Sequence, residues 1–477
     1  MGNTEILVNH SPYETRVALL EGGVLRDVFL ERARKRGIVG NIYKGRVQRV
    51  LPGMDACFVD IGLEKAGFLH VKNIANNKDF TIDQLLHEGE NLLVQVLKEP
   101  IGSKGARLTT DISIPSRFLV YLPRSQDIGV SFKITDEEQR QSLRETMADF
   151  SEGQQGGFIV RTAIENADLW AMRADQQYLH RLWADIQNRE QVAKAGTLIH
   201  AELPLHLKVL RDFVTPQVKR IVIDDAVAHR EMFAFADNFT REVQDLIQLD
   251  QGPGLFQRYG IEQEIEHCLH RHVSLQSGGT LIIDQTEAMT TIDVNTAAFV
   301  GKSSQHDTIF KTNLEAAQAI ARQLRLRNLG GIIMIDFIDM DSEEQRQQIF
   351  NALDAALASD KSKYSLSPMS PLGIIEMTRK RTRESLKQTL CETCPRCMGR
   401  GYIKTVETLA YQLFRDLMHQ GRGGAPLTVT AGPELVDFIT DEEGSALEDL
   451  SQLLERPIRL QRLVDFPQGQ YQVKVGD

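Results

Sequence analysis

The sequence predicts an α+β chain of several domains, and three observations carry that prediction. Short apolar runs broken by Gly- and Pro-containing turns fill residues 1–112. A strand–helix–strand pattern that includes the apolar run IIMI occupies the centre, between about residues 280 and 340. Three cysteines, Cys391, Cys394 and Cys397, crowd into one short segment ahead of a last α+β stretch.

Residues 1–37 read as a β-meander, because EILVNH, TRVALLEGG and VLRDVFLE are short apolar runs separated by Ser-Pro and Gly-Gly turn signals. From Ile38 to Ile112 the pattern stays β through IVGNIYKGRVQRV, MDACFVDIG, AGFLHV, NLLVQVLKE and ARLTTDI. Five short strands with Gly-rich turns predict a closed barrel of the OB type. Residues 137–151 and 166–194 read as helices flanking the strand-like GGFIVRT, and a helix and strand follow at LPLHLKVLRDF and RIVIDD. In the centre, SGGTLIIDQTEAMTTIDVNT predicts two strands joined by a turn, DTIFKTNLEAAQAIARQLRLRNL a long amphipathic helix, and GGIIMIDFIDM a strand that ends in carboxylates. After the cysteines come a helix over Val406–Met418, the strand PLTVTA, further helices and a strand ending in VKVGD.

At 477 residues, 42% hydrophobic and 25% charged, the chain has ordinary globular composition and is too long for one domain. It contains no run of about 18 uncharged apolar residues. Its start, MGNTEILVNH, lacks the basic-then-apolar pattern of a secretory signal, so a cytoplasmic protein without a membrane span is expected. Three of the five cysteines share metal-like spacing, not a disulfide framework. A net charge of −10 argues against a uniformly polyanion-gripping surface. Distribution qualifies that: Arg26, Arg32, Arg34, Lys35, Arg36, Lys44, Arg46 and Arg49 form one basic cluster, and Arg379, Lys380, Arg381 and Arg383 a second. Either could be polyanion-binding surface or merely a solvated face.

Asp293 and Asn295 stand two apart in TIDVN, so on a strand they share a face, and Asp336 ends IIMI. If these strands are neighbours, three oxygen-bearing side chains converge. Such a site suits magnesium, which takes one or two carboxylates and keeps several waters, and it fits phosphodiester hydrolysis. Asp339, three residues on, is expected to face away. For a lone Asp at a strand end, a cap or turn role is the alternative. The segment Cys391-Glu-Thr-Cys394-Pro-Arg-Cys397 offers two overlapping CxxC pairs, with no second CxxC elsewhere and no His nearby. Structural zinc takes four ligands, so a second copy of the chain is the simplest source of the missing thiolates. A reduced or redox thiol pair is the alternative.

The stretches IIDQTEAMTTIDVNT, NLEAAQAIARQLRLRNLGGIIMIDFIDM, GIIEMTRKRTRESL and CPRCMGRG, with RGIVGNIYKGRVQRVLPGMDACFVDIG and GARLTTDISIPSR before them, resemble the bacterial ribonuclease E/G family over nearly the whole chain. The sequence contains no long low-complexity tail, so the tail-less branch of that family is the expectation. The resemblance implies an RNase H-like subdomain split between 1–37 and 207–270, an inserted S1-type OB barrel at 38–118 and a 5′-sensor region at 119–206. It further implies a DNase I-like catalytic subdomain at 271–390, a zinc-link at 391–401 and a small C-terminal dimerisation domain at 402–477. By the same resemblance Asp293 and Asp336 hold magnesium and Asn295 supports them by hydrogen bonding. Phe58 and Phe68 stack bases and Lys104 adds a basic contact, with burial in the barrel core as the other reading of the two rings. Arg161 and Thr162 take a 5′-monophosphate, with Val120 and Ser116 forming wall and base contact; Ser116 stands where the ribonuclease E pattern has Gly, and Lys363 where it has Arg. Cys394 and Cys397 carry zinc shared between subunits of a homodimer, or of a tetramer made of two dimers, and Cys391 is a third candidate. The implied activity is magnesium-dependent endonucleolytic cleavage of single-stranded A/U-rich RNA, favouring 5′-monophosphorylated ends, in ribosomal RNA precursors and messenger RNA. A non-catalytic RNA-binding or assembly factor and a metal-dependent DNase are the rivals.

Overall fold

Alternation of apolar and polar residues pairs Thr4–His10, Glu14–Glu21 and Val24–Arg32 as an antiparallel meander. The computed structural model describes residues 3–476 except 76–79, 101–103, 167, 240, 297–304 and 382. Its residues fall into two units, Met1–Leu386 and Lys387–Asp477. Two strands from much later in the chain, Val218–Ile223 and Ile247–Leu249, extend the meander in parallel beside Thr4–His10, giving a five-stranded sheet. Ile6, Val8, Val17, Ile221 and Ile223 pack there against Val209, Leu210 and Met232 from the helical segments Val209–Phe213 and Ala226–Phe239.

The barrel lies between the two halves of that sheet in sequence. Strands Ile42–Leu51, Ala56–Asp60, Gly67–His70, Arg107–Thr109 and Asn91–Lys98 are neighbours in that order, and the last pairs with the first to close the ring. Five strands are what the sequence predicts; the short strand Thr197–His200, added outside Ile42–Leu51, is an addition. Val47, Val59, Leu69, Val94 and Leu108 fill the interior. Gly45 is required where the wall is tightest, since a Cβ there would lie 2.5 Å from the Val59 side chain.

A four-stranded sheet follows, ordered Ile128–Val130, Gly157–Val160, Leu119–Leu122, Ile114–Pro115. Helices Glu137–Ser151 and Leu169–Val192, N-capped by Asp136 and Asp168, pack with it around Tyr121, Phe158, Met147 and Leu179. Asp175 ties the second helix to the sheet. Its carboxylate accepts the backbone N–H groups of Phe118 and Leu119, both at 3.0 Å, and the Ser116 hydroxyl. Burial pushes its pKa up to about 6 in spite of those bonds.

The central sheet is six-stranded, ordered His272–Ser274, Thr280–Gln285, Met289–Asn295, Gly331–Asp336, Ile374–Arg379, Tyr364–Leu366. Met289–Asn295 and Gly331–Asp336 run parallel, so the chain must cross over between them, and helix Gln305–Leu326 makes the crossover. The apolar stripe Ala316, Ala317, Ile320 and Leu324 covers Ile292, Val294, Ile333 and Ile335 on one face of the sheet. A second helix, Glu343–Leu357, capped by Ser342, adds Ile349 and Leu353 to the same core.

The second unit has a sheet ordered Ile458–Arg462, Leu427–Ala431, Tyr471–Val475 and helices Val406–Met418, Pro433–Asp441 and Gly444–Leu454. Leu413, Leu417, Val429 and Ile439 are at its core. Among the described residues no helix is long and apolar enough to cross a membrane.

In the basic segment 379–383, Arg379 and Arg383 have structural partners, whereas Lys380 and Arg381 are exposed. Arg379 is buried, paired with Asp360 at 2.7 Å and bonded to the Leu329 carbonyl. Arg383 stacks over Phe29 at 4.1 Å and donates to the Val28 carbonyl, and burial lowers its pKa to about 10. Arg381 donates to the Gly330 carbonyl. These guanidinium groups satisfy backbone carbonyls that the turn Leu329–Gly330 and the strand at Val28 leave open.

Candidate active site and RNA-binding surface

Strand register assembles the carboxylate centre. Asp293 is the register partner of Asp336 across the parallel ladder, and neighbouring strands lie about 4.8 Å apart. Parity then fixes the face. Ile292, Val294, Ile333 and Ile335 point into the helix-covered core, so Asp293, Asn295 and Asp336 emerge together on the opposite, more exposed face. Asn295 Nδ2 donates to Asp293 Oδ2 at 2.8 Å, orienting that carboxylate. The same lateral row continues through Ile282 on one side and Ile374 on the other.

The strand ends at Asp336, where burial, then the charge of Asp293, then that of Asp339 raise its pKa. The path of the chain beyond it is held by two contacts. Asn313, fully buried in the crossover helix, donates to the Ile338 carbonyl at 2.8 Å and accepts the Ile338 N–H at 3.1 Å. Gly373 (φ 77°) lets the opposing turn approach so closely that a Cβ on it would lie 3.0 Å from the Phe337 carbonyl and 3.6 Å from Asp339 Oδ1. Like charges crowded on an exposed face fit a bound cation, and oxygen donors from two carboxylates suit magnesium. Among the described residues no group of three or more His, Cys, Asp or Glu side chains is placed to hold a metal within one copy of the chain.

On the barrel, register lines up a row of a different character. Arg49 pairs with Phe58, Phe58 with Phe68, Phe68 with Arg107, and Arg107 with Lys98. Phe58 and Phe68 are half-buried on the wall, with ring centroids 6.0 Å apart, edge to face. They are therefore outside the barrel's fully buried core. Lys104 is exposed beside this row. Its neighbour Gly105 crosses Ala66 so tightly that a Cβ would fall 1.8 Å from the Ala66 carbonyl. The exposed Arg107 and Lys98 were not singled out from the sequence, where nothing reports which residues pair across strands. Of the first basic cluster, Arg46 and Arg49 are exposed on the barrel, whereas Arg32 pairs with Glu14 at 2.9 Å and Lys44 donates to the Glu190 carbonyl at 2.7 Å.

The expected phosphate-sensing residues lie close in the fold but do not all point outward. Arg161 is half-buried; it donates to Asp212 Oδ1 at 2.8 Å and to the Ser116 carbonyl. Burial pushes the Asp212 pKa up, but Arg211 and Arg161 outweigh it and hold it below the usual carboxylate range. Thr162 follows at the start of a 3-10 turn, and Val120 is half-buried on the sheet face opposite Tyr121. Ser116, expected at the base contact, is buried and its hydroxyl donates to Asp175. Lys363 is exposed just ahead of strand Tyr364–Leu366.

In the second unit, Cys391 and Cys394 are exposed and Cys397 is half-buried. The Cys397 pKa is lowered by the backbone N–H groups of Gly401 and Gly399 and by a hydrogen bond with the Cys394 thiol. Those N–H groups can reach the sulfur because Met398, Gly399 and Gly401 adopt positive φ. Two adjacent thiols, one favoured as thiolate, fit half of a tetrahedral zinc site. Cys57 and Cys268 are buried with pKa values pushed up to about 11 and have no part in it.

Comparison with known proteins gives a consistent result. The pattern of the S1 RNA binding domain matches residues 38–110, and that of the Ribonuclease E/G family matches residues 113–382. Ribonuclease G of Salmonella typhimurium is 46% identical over 98% of this chain and 99% of its own length. Ribonuclease G of Haemophilus influenzae is 45% identical over the whole of both chains. Ribonuclease E of Escherichia coli is 36% identical over 84% of this chain but only 39% of its own length. With both patterns matched in sequence and with full-length relatives at this level of identity, the chain belongs to the ribonuclease E/G family.

Proposed function

We propose that this chain is an endoribonuclease that hydrolyses single-stranded RNA to 5′-phosphate and 3′-hydroxyl ends. The observation that carries the reading is the in-register pair Asp293–Asp336, with Asn295 bonded to Asp293, on the face of the central sheet opposite its helix-covered core. The names and full-length similarity of its relatives support the same reading.

The barrel's row supplies the grip. Unpaired bases can stack on Phe58 and Phe68, which duplex bases cannot, while Arg49, Arg107, Lys98 and Lys104 neutralise the backbone. A preference for single strands follows from that geometry. At the centre, Asp293 and Asp336 would hold magnesium, with Asn295 fixing the Asp293 carboxylate. When bound, the ion supplies charge at the phosphoryl oxygen and activates water. The carboxylates fix where the scissile phosphate sits and keep that face polar, and Asp339 adds negative charge nearby. Arg161 and Thr162, with Val120 beside them, form the 5′-end sensor. Because Asp212 and the Ser116 carbonyl already occupy two arms of Arg161, a terminal phosphate must use its remaining donors or displace Asp212.

The finer architecture follows the same reading. The sheet that pairs Ile247–Leu249, Val218–Ile223 and Thr4–His10 in parallel, followed by two antiparallel strands, supports an RNase H-like subdomain split over 1–37 and 207–270. The barrel at 38–118 and the sensor region at 119–206 are its insertion, and 271–390 is a DNase I-like catalytic subdomain. Residues 391–401 form a zinc-link through Cys394 and Cys397, with Cys391 assisting, and join two copies; 402–477 is the small dimerisation domain. The protein works in the cytoplasm on A/U-rich sites, in ribosomal RNA 5′-end maturation and messenger RNA decay.

Four measurements test this. With a labelled single-stranded RNA, Asp336→Asn should lower the cleavage rate at least about 100-fold, as expected for losing a group that stabilises transition-state charge, with RNA affinity unchanged. Phe58→Ala should instead weaken binding by about 1–3 kcal/mol, roughly 5- to 150-fold. Full cleavage by Asp336→Asn would remove the proposed chemistry. Matched oligonucleotides carrying a 5′-monophosphate or a 5′-triphosphate should be cut at different rates, the monophosphate faster; equal rates would remove the sensor. Metal analysis of freshly purified, unchelated protein should give zinc at about half an equivalent per chain, and a value well below that would rule out the shared site.

A further inference from the structure

The sheet that carries Val120 on one face presents Tyr121 on the other, where a cavity of ≈ 550 Å³ lies between helix Leu169–Val192 and the loop before Gly157. Nothing in the cleavage reaction uses it. Its walls are chemically distinctive. His180 and Trp183 contribute half-buried rings, packed edge to face on the buried Tyr121 at 5.0 and 6.5 Å. Gln154, Gln177 and Gln187 contribute amides, each able to donate and accept. Arg181 is the one cation, it makes no ion pair among the described residues, and no carboxylate lines the space among them. His180 Nε2 is buried without a hydrogen-bond partner in the described structure, and desolvation lowers the pKa of the ring, so the imidazole is neutral near pH 7.

The cavity is an open groove whose walls are held by the fold. Gln177, Arg181 and Ala184 recur at helical spacing on one face, and the methyl of Ala184 leaves the room. The loop wall is fixed: Tyr121 Oη donates to the Gln155 carbonyl at 3.0 Å, and Gln154 Oε1 accepts from Gln176 at 3.3 Å, which leaves the Gln154 NH₂ for another partner. Gly156 (φ 94°) runs against the Tyr121 ring, where a Cβ would lie 2.4 Å from the nearest ring carbon. Planar rings, paired amide donors and acceptors, and one unpaired guanidinium are what an unstacked nucleobase with its phosphate needs.

We propose that this cavity is a second nucleotide-binding site, taking one unpaired base against Trp183 and His180 with its phosphate toward Arg181. The occupant is either a free mononucleotide or one nucleotide of an RNA chain. The site is independent of the carboxylate centre, so binding is measured without magnesium, and a failure of the nuclease reading leaves the result interpretable.

The chain has two tryptophans, so Trp170→Phe leaves Trp183 as the sole indole reporter. In that background AMP, GMP, CMP and UMP, then an unpaired oligoribonucleotide, are titrated while tryptophan emission is followed. Saturable quenching by mononucleotides identifies a free nucleotide as ligand; saturation by the oligonucleotide alone identifies a nucleotide of RNA. In either case Ala184→Leu, which fills the space from an exposed helix position, and Arg181→Ala should each weaken the effect at least tenfold, whereas Phe58→Ala on the barrel should leave mononucleotide quenching in place. Circular dichroism checks that each variant is folded. Absence of saturation by every probe at millimolar concentration, or quenching unchanged in folded Ala184→Leu and Arg181→Ala, would overturn the proposal.

Discussion

The parallel register of Met289–Asn295 against Gly331–Asp336 is the constraint on which the rest depends. A slip of one residue would turn every side chain of a strand to the other face, putting Asp336 into the core and Ile335 onto the surface. The crossover helix prevents that. Its stripe of Ala316, Ala317, Ile320 and Leu324 accepts only the faces bearing Ile292, Val294, Ile333 and Ile335, and burying each large aliphatic side chain contributes about 1.5–3 kcal/mol. Apolar burial on one side of the sheet therefore holds two carboxylates together on the other, where burial and the charge of Asp293 raise the Asp336 pKa.

The same economy appears in the barrel. Inward side chains such as Val59 and Leu69 close the ring, and parity sends Phe58, Phe68, Arg49 and Arg107 outward in one line. The barrel's aromatic row and the carboxylate pair are both by-products of packing: the interior sets the register, and the register sets which polar or aromatic groups meet. Buried charge does a separate job. Arg379 with Asp360, Arg383 over Phe29, and Asp175 at the turn Ser116–Leu119 secure joints between elements where backbone groups would otherwise lack partners.

Much of this was legible in the sequence because it is local. Period-two runs marked the five barrel strands, and the amphipathic stripe marked the crossover helix; strand parity also placed Asp293 and Asn295 on one face. What was not legible depends on partners distant in the chain. The path of the chain after Asp336 is held by Asn313 and by the close approach of Gly373, which no spacing rule connects. Ser116 looks available in the sequence but is turned inward by Asp175, fifty-nine positions later. A run of arginines before the cysteines looks like a surface, yet Arg379 and Arg383 are drawn inward by Asp360 and by Phe29. Arg107 joins the aromatic row only through its pairing with Phe68 and Lys98.

The central claim is that a single divalent cation binds between the two register-paired carboxylates. Crystals soaked in Mn²⁺, examined by anomalous scattering, test it most directly. The account predicts one strong peak within about 2.2 Å of an oxygen of both Asp293 and Asp336. A peak that touches neither residue, or none at millimolar Mn²⁺ with both side chains ordered, would contradict it.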